Sequence, residues 1–375
     1  MKICHYTTVH RWNDTRIFHK MCVSLAASGH EVTLVAPGSG VRMVKGVLVA
    51  GVPFSSGRLA RATVFSWRIL RRALASKAEI FHFHDPELIW TGLLLRLFGK
   101  KVVFDIHENI RAQIRVKRWL PLRGLFASAF SVVDFAVQYL FYLVLAENSY
   151  TRLYRRRPDK TAVVMNFPDI EALRDFRIED RSRVGNGIFY VGGVTVERGI
   201  RTVLDSLLLL HEQGLDFHFH CVGPVAADVR VGIIDASVYD PIRSKVTFHG
   251  PMDLPEAYAL SRTCRVGLSV LLPIDNYRES YSTKVFEYMS IGLPVITSNF
   301  RLYEEVVTRH KAGLCIDPGS SADLANAIRA IFDHGDIAAQ MSRNGIDAAI
   351  RHYSWRGEFD KLLELYGKLD PEKKR

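Results

Sequence analysis

Short apolar, β-branched runs alternate with longer stretches of helical periodicity along nearly the whole chain, which predicts βαβ units and mainly parallel sheets. In the first half the runs fall at 2–6, 31–36, 79–84, 101–106 and 161–165. The alternation breaks at Asn166-Phe167-Pro168-Asp169 and a charged, weakly periodic stretch follows as far as Gly187. That break reads as a crossing between domains. A second alternation then places strands at 188–191, 217–222, 245–248, 266–270, 294–297 and 313–316. After Tyr353-Ser354-Trp355, residues Phe359, Leu362, Leu363, Leu365 and Tyr366 form one apolar helical stripe that can pack on either domain. The expected organisation is an N-terminal domain over 1–168, a second over 187–352, and a C-terminal helix and tail over 353–375 able to fold back on the first. A length of 375 residues suits two cores.

The stretch 125–146 is apolar enough to raise a membrane span, its polar residues being Ser128, Ser131, Asp134 and Gln138. Their spacing places them on one stripe, so a helix buried on most of its circumference and running into a strand near Leu143 is expected instead. Composition is ordinary for a globular chain, with 48% apolar and 24% charged residues, which excludes disordered and fibrous classes. Five scattered cysteines, never spaced C-x-x-C, point to a reduced compartment without structural zinc. The N-terminus Met1-Lys2-Ile3-Cys4-His5-Tyr6 lacks a secretory apolar core, so a cytoplasmic protein is expected. A net charge of +11 calls for an anionic partner without choosing among nucleic acid, acidic lipid and phosphorylated substrate.

The most informative stretch runs from Glu279 through Ser280-Tyr281-Ser282-Thr283-Lys284-Val285-Phe286-Glu287 to Gly292-Leu293-Pro294. Ser282 or Thr283 suits an N-cap and Gly292 a helix stop, giving a loop, a short helix and a buried strand. Backbone N–H groups at such a helix start, with Lys284 in its first turn, suit a diphosphate. Glu279 and Glu287 then flank the phosphate end, and one ionised carboxylate accepts from two neighbouring sugar hydroxyls. The alternative is a pair of surface charges on an ordinary helix. Tyr190-Val191-Gly192-Gly193 followed by Arg198-Gly199 is a strand and a glycine turn that lets backbone approach a ligand closely.

The 279–287 segment resembles the E-x7-E signature of family 4 retaining glycosyltransferases, which have the GT-B fold. Asp14-Thr15-Arg16-Ile17-Phe18-His19-Lys20, His84-Asp85-Pro86-Glu87, Phe104-Asp105-Ile106-His107-Glu108 and Asn166-Phe167-Pro168-Asp169 are similar to a bacterial branch of that family, in the same order. The resemblance implies an α/β protein of two Rossmann-like domains, with mainly parallel sheets facing across a cleft. It implies that Glu287 binds the nucleotide ribose and Glu279 the donor sugar, while His107 faces the transferred sugar. Gly192, Gly193 and Arg198 would form the first phosphate loop, with Ser282, Thr283 and Lys284 completing it. Family members commonly carry an Arg and a Lys in that loop. Here Gly193 stands at the first place, so Lys284 is inferred to replace the missing cation. The glycine-rich N-terminal loop of the family is replaced by Arg11-Trp12-Asn13-Asp14-Thr15-Arg16, where Asp14 or Thr15 either caps the first helix or meets acceptor.

The reaction implied is retaining transfer of a hexosyl or N-acetylhexosaminyl group from a UDP- or GDP-linked sugar to a glycan or lipid-linked acceptor, in cell-surface polysaccharide synthesis. No cofactor and no metal are expected: D-x-D is absent, and the pairs His82/His84 and His218/His220, each on one strand face, read as structural, with His84 the first candidate for an exception. An epimerase or phosphorylase of the same fold is the alternative. A dehydrogenase lacks its G-x-G-x-x-G, and a nucleic-acid binder lacks any module signature. Arg111, Arg115, Lys117, Arg118 and Arg123, interleaved with Ile114, Val116, Trp119 and Leu120, suit a peripheral contact with anionic membrane.

Overall fold

The computed structural model describes residues 1–54, 57–108, 110, 114 and 123–369. The chain divides into two compact units, one of residues 1–166 and 355–375 and the other of 167–354. In the first, strands β1 (Lys2–Tyr6), β2 (Glu31–Pro37), β3 (Val41–Val44), β4 (Val47–Val52), β5 (Ile80–Phe83), β6 (Lys101–Ile106), β7 (Tyr142–Leu145) and β8 (Thr161–Val163) lie in the order β3-β4-β2-β1-β5-β6-β7-β8. Every pairing is parallel except β3 with β4. In the second, β9 (Gly187–Val191), β10 (His218–Val222), β11 (Val246–Gly250), β12 (Cys264–Ser269), β13 (Val295–Ser298) and β14 (Gly313–Ile316) form an all-parallel sheet ordered β11-β10-β9-β12-β13-β14. Strands covered on both faces read as unbroken apolar runs, which is why most of them stand out in the sequence.

The β3–β4 hairpin was not anticipated. Val41, Arg42 and Met43 are exposed on an edge strand, so burial imposes no alternation there. Its signal is the pair Lys45-Gly46, both at positive φ (48° and 77°), as a tight two-residue hairpin turn requires.

The helix Arg123–Leu140 does run into β7, but its polar stripe is split: Ser128 faces solvent while the C-terminal part turns inward. Asp134 and Gln138 are buried, whereas Val132, Phe135 and Tyr139 are exposed. Internal partners stabilise the polar pair: Tyr154 donates to Asp134 Oδ1 at 2.8 Å, and the Arg156 N–H to Gln138 Oε1 at 3.1 Å. Among the described residues no helix is long and apolar enough to cross a membrane. Arg111, Arg115, Lys117 and Arg118 lie outside the described residues.

The C-terminal helix Trp355–Gly367 belongs to the first unit. Trp355, Leu362, Leu365 and Tyr366 are buried in its core with Ile3, Leu34 and Val103, each large apolar side chain contributing roughly 1.5–3 kcal/mol. Trp355 Nε1 donates to Ser24 Oγ at 2.9 Å, and Glu358 Oε2 accepts from the Met165 N–H at 2.7 Å. The charged stretch after Asn166 is part of the second unit, not a free crossing. Arg181 within it is fully buried.

Candidate functional site

In an open parallel sheet, ligands bind beyond the carboxyl ends of the strands where the strand order reverses. In the second unit that point lies between β9 and β12, in the first between β1 and β5. The chemistry picked out in the sequence collects at these two places.

In the second unit the chain leaves β9 into Gly192-Gly193. Gly192 has φ +137°, and a Cβ there would stand 3.2 Å from both Arg198 Nη1 and Lys284 Nζ. Gly223, which follows β10 at φ +138°, approaches so closely that its own Cβ would lie 2.0 Å from the Gly192 carbonyl oxygen. Two glycines thus let two cations close on one loop. Arg198 is hydrogen-bonded to Tyr277 and Tyr190; burial works against its charge, but these hydroxyls raise its pKa.

Lys284 is 6% exposed, and its Nζ lies 4.0 Å from the centroid of the Tyr190 ring. Burial first, and the Arg198 charge second, lower its pKa to about 7. Among the described residues its Nζ has no hydrogen-bond partner. Thr195 Oγ1, in the same loop, and Ser269 Oγ, at the last residue of β12, are also buried without partners. Orphaned buried polar atoms are costly, and in the second unit all three that are found fall at the strand ends beside the switch point. Sequence reasoning missed Thr195 and Ser269; a lone hydroxyl at a strand end carries no pattern.

The helix Thr283–Ser290 begins at the same place. Ser282 is its N-cap residue but its hydroxyl makes no capping bond; its N–H donates to Tyr303 Oη at 2.9 Å. Thr283 opens the first turn. Glu287 is half-buried one turn later and accepts from Tyr258 Oη at 2.7 Å. Glu279 is exposed, just after the short helix Asp275–Arg278. Gly192, Gly193, Arg198, Ser282, Thr283, Lys284, Glu287 and Glu279 all belong to the second unit, and His107 to the first.

In the first unit, His107 directly follows β6 and its Nε2 lies 2.7 Å from Asp105 Oδ2. Asp105 is fully buried and receives Arg16 through Nε at 3.1 Å and Nη2 at 2.9 Å. Burial opposes its ionisation, yet Arg16 and His107 hold its pKa well below the carboxylate range. His84 Nδ1 meets the same Oδ2 at 3.1 Å. At the end of β1, Thr7 and Thr8 hold Asp85, and His10 Nδ1 lies 3.1 Å from Asp14 Oδ2. Burial tends to lower the His10 pKa, but Asp14 and Asp85 outweigh it and raise it. Asp14 accepts from the N–H groups of Arg16 and Ile17, both at 2.9 Å, so it is the cap of the first helix.

Two triads, His5–His82–His84 and His84–Asp105–His107, bring ligand-type atoms within 4.8 Å of one another. The His82 and His84 rings are stacked with centroids 4.7 Å apart and planes 18° apart, so their lone pairs lie in two nearly parallel planes and one ion cannot sit in both. Asp105 Oδ2 already accepts from Arg16. Hydrogen bonding therefore accounts for both triads better than metal ligation does. On β10, His218 meets Thr247 at 2.9 Å and His220 meets His249 at 3.1 Å.

Two Rossmann-like units, each with polar groups gathered at its switch point, define a GT-B glycosyltransferase architecture. Residues 15–172 match the profile described as Glycosyltransferase Family 4, and residues 185–334 that described as Glycosyl transferases group 1. The chain belongs to the family 4 glycosyltransferases. It is 25% identical to the D-rhamnosyltransferase WbpZ of Pseudomonas aeruginosa over 300 residues, covering 76% of this chain and 72% of that one. Among solved structures, sucrose-phosphate synthase of Thermosynechococcus elongatus superposes with a TM-score of 0.75 at 17% identity over 98% of both chains. HepE of Anabaena, solved in complex with UDP, gives 0.70 at 14% identity over 98% of this chain and 100% of that one. Family membership sets aside the dehydrogenase and nucleic-acid readings.

Proposed function

We propose that this glycosyltransferase binds a nucleoside diphosphate sugar at the β9–β12 switch point and transfers the sugar with retention to a glycan or lipid-linked acceptor. The observation that carries the reading is the unpartnered Lys284 ammonium, buried beside Arg198 against the Gly192 backbone. A diphosphate supplies the missing acceptors. Thr195, Ser269 and the start of the helix at Thr283 lie within the same set of strand ends, and Glu287 one turn on suits the ribose hydroxyls. UDP bound to a solved neighbour of the same fold is consistent with this choice of ligand. As the leaving diphosphate gains charge, Arg198 and Lys284 stabilise it electrostatically.

Calorimetric titration against UDP-, GDP- and ADP-sugars tests the reading, and Lys284 adds a signature. Its folded pKa of about 7 lies below its ordinary value of 10.5, so between those limits the folded protein holds fewer protons than the unfolded chain. Its contribution to stability therefore rises with pH across that window and is lost below it, as the buried amine becomes charged. A bound diphosphate reverses the shift. At pH 8 binding is expected to take up close to one proton, read from titrations in buffers of different ionisation enthalpy. Binding without proton uptake sinks the assignment of Lys284.

Because two side-chain cations neutralise the diphosphate, transfer is expected to be unchanged in EDTA. Activity lost in chelator and restored by magnesium or manganese would overturn that. For the acceptor side, the basic segment 111–123 is expected to bring the protein down with anionic liposomes at low salt and release it at high salt. Equal sedimentation of a variant with Arg115, Lys117 and Arg118 changed to Glu would defeat this idea.

A further inference from the structure

A buried chain of hydrogen bonds runs through the first unit from the C-terminal helix to His107. Tyr366 Oη lies 2.6 Å from His82 Nδ1 and 3.2 Å from His5 Nε2. His5 Nδ1 lies 3.0 Å from His84 Nε2, and His84 Nδ1 lies 3.1 Å from Asp105 Oδ2. His5, His82 and His84 are all buried, and burial lowers the pKa of each, so all three are neutral.

One assignment of protons satisfies every link from Asp105 through to His82. An ionised Asp105 only accepts, so both His84 Nδ1 and His107 Nε2 carry hydrogen. Their nitrogens stand 3.3 Å apart because both point at the same oxygen. Neutral His84 then has a lone pair on Nε2, and His5 must donate to it from Nδ1. His5 Nε2 in turn accepts from the Tyr366 hydroxyl, whose oxygen accepts from His82 Nδ1. The chain ends on His82 Nε2, which is buried without a partner among the described residues. Under this assignment that atom is a bare lone pair and not a stranded N–H. Reversing any link sets two lone pairs or two hydrogens against each other.

We propose that this chain is a tautomer lock in which His84 and Asp105 are positioning residues, fixing His107 with its hydrogen on Nε2 and its lone pair on Nδ1, and in which Tyr366 ties the C-terminal helix to the site. Its functional consequence rests on the reading that His107 faces the transferred sugar. With its hydrogen held on Nε2, the imidazole presents Nδ1 in one fixed direction, much as an orienting carboxylate fixes a catalytic histidine.

Long-range nitrogen–proton correlation spectra of ¹⁵N-histidine-labelled protein test the lock without any acceptor, signals being assigned by single substitutions of each histidine. His5, His82 and His84 are expected in the Nδ1–H form and His107 in the Nε2–H form. Tyr366→Phe is expected to leave the protein folded and to make the His82 tautomer mixed, while His5, still donating to His84 Nε2, stays in the Nδ1–H form. His107 found as Nδ1–H, His84 found as Nε2–H, or a His82 tautomer untouched by Tyr366→Phe overturns the lock. Asp105→Asn adds the functional arm, read as release of nucleoside diphosphate from the tightest-binding UDP- or GDP-sugar with water as acceptor. A fall in kcat of about 100-fold or more, with donor KM within about twofold, is expected. Should the tautomers stand as stated while kcat is unchanged, the lock holds and the placing of His107 at the sugar fails. If Asp105→Asn does not fold, the spectra of the wild type and of Tyr366→Phe decide.

Discussion

Glu287→Ala is expected to abolish transfer and to weaken nucleotide binding by a factor of about 10² to 10⁴. A ribose held by one ionised carboxylate makes two charge-assisted hydrogen bonds, each contributing about 1.5–3 kcal/mol, and about 1.4 kcal/mol is tenfold in affinity. The substitution has a second effect. Tyr258 is buried and its hydroxyl donates to Glu287 Oε2 at 2.7 Å, so truncation leaves a buried hydroxyl without its acceptor. That costs about 1–3 kcal/mol, or roughly 2–4 °C in Tm for each kcal/mol in a unit of this size. Glu287→Gln separates the two effects, because its amide oxygen can still serve Tyr258 while the charge and one acceptor are gone. The Gln variant should keep the wild-type Tm and lose an intermediate amount of affinity. Unchanged nucleotide affinity in the Ala variant rejects the ribose role.

The largest loss of stability is expected from Arg181→Ala. The guanidinium of Arg181 is fully buried and meets four backbone carbonyls: Gly292 through Nε at 2.8 Å, Ser261 and Cys264 through Nη1 at 2.6 Å each, and Ile291 through Nη2 at 3.0 Å. Burial lowers its pKa to about 10, still far above neutrality, so it remains a cation there. The four carbonyls belong to the 3-10 turn Ser261–Thr263, to the start of β12 at Cys264, and to the turn that ends the Thr283–Ser290 helix. Arg181 therefore braces the segment that carries Lys284 and Glu287. Removing it strands those oxygens in a site water does not reach, at a cost of about 3–5 kcal/mol. Lysine is a point donor and does not reproduce the planar fork, so Arg181→Lys should recover less than half of the loss. Denaturant unfolding checks this, and a change below about 1 kcal/mol in Arg181→Ala would show that the carbonyls find other partners.

How far the sequence determined this protein follows from the range of the forces involved. The alternation of apolar runs and helical stripes is local, so it fixed the two α/β units, twelve strand positions to within a few residues and the helix Thr283–Ser290. The motif around Glu279, Lys284 and Glu287 was legible because a helix start, a cation and two carboxylates sit within one short stretch. Asp14 stood open between capping and acceptor contact in the sequence; its bonds to the Arg16 and Ile17 N–H groups show the cap. What the sequence could not supply were contacts between residues far apart in the chain. Nothing near Arg181 says that its four acceptors lie some 80 to 110 residues away. The stripe of Ser128, Ser131, Asp134 and Gln138 could be read as polar, yet only Tyr154 and the Arg156 backbone show that Asp134 and Gln138 point inward. The pairing of His82 and His84 was visible as two residues on one strand face. That Tyr366 caps them from the far end of the chain, and that Asp105 sets their protons, was decided by tertiary structure alone, because a buried hydrogen bond depends on position in space and leaves no periodicity in the chain.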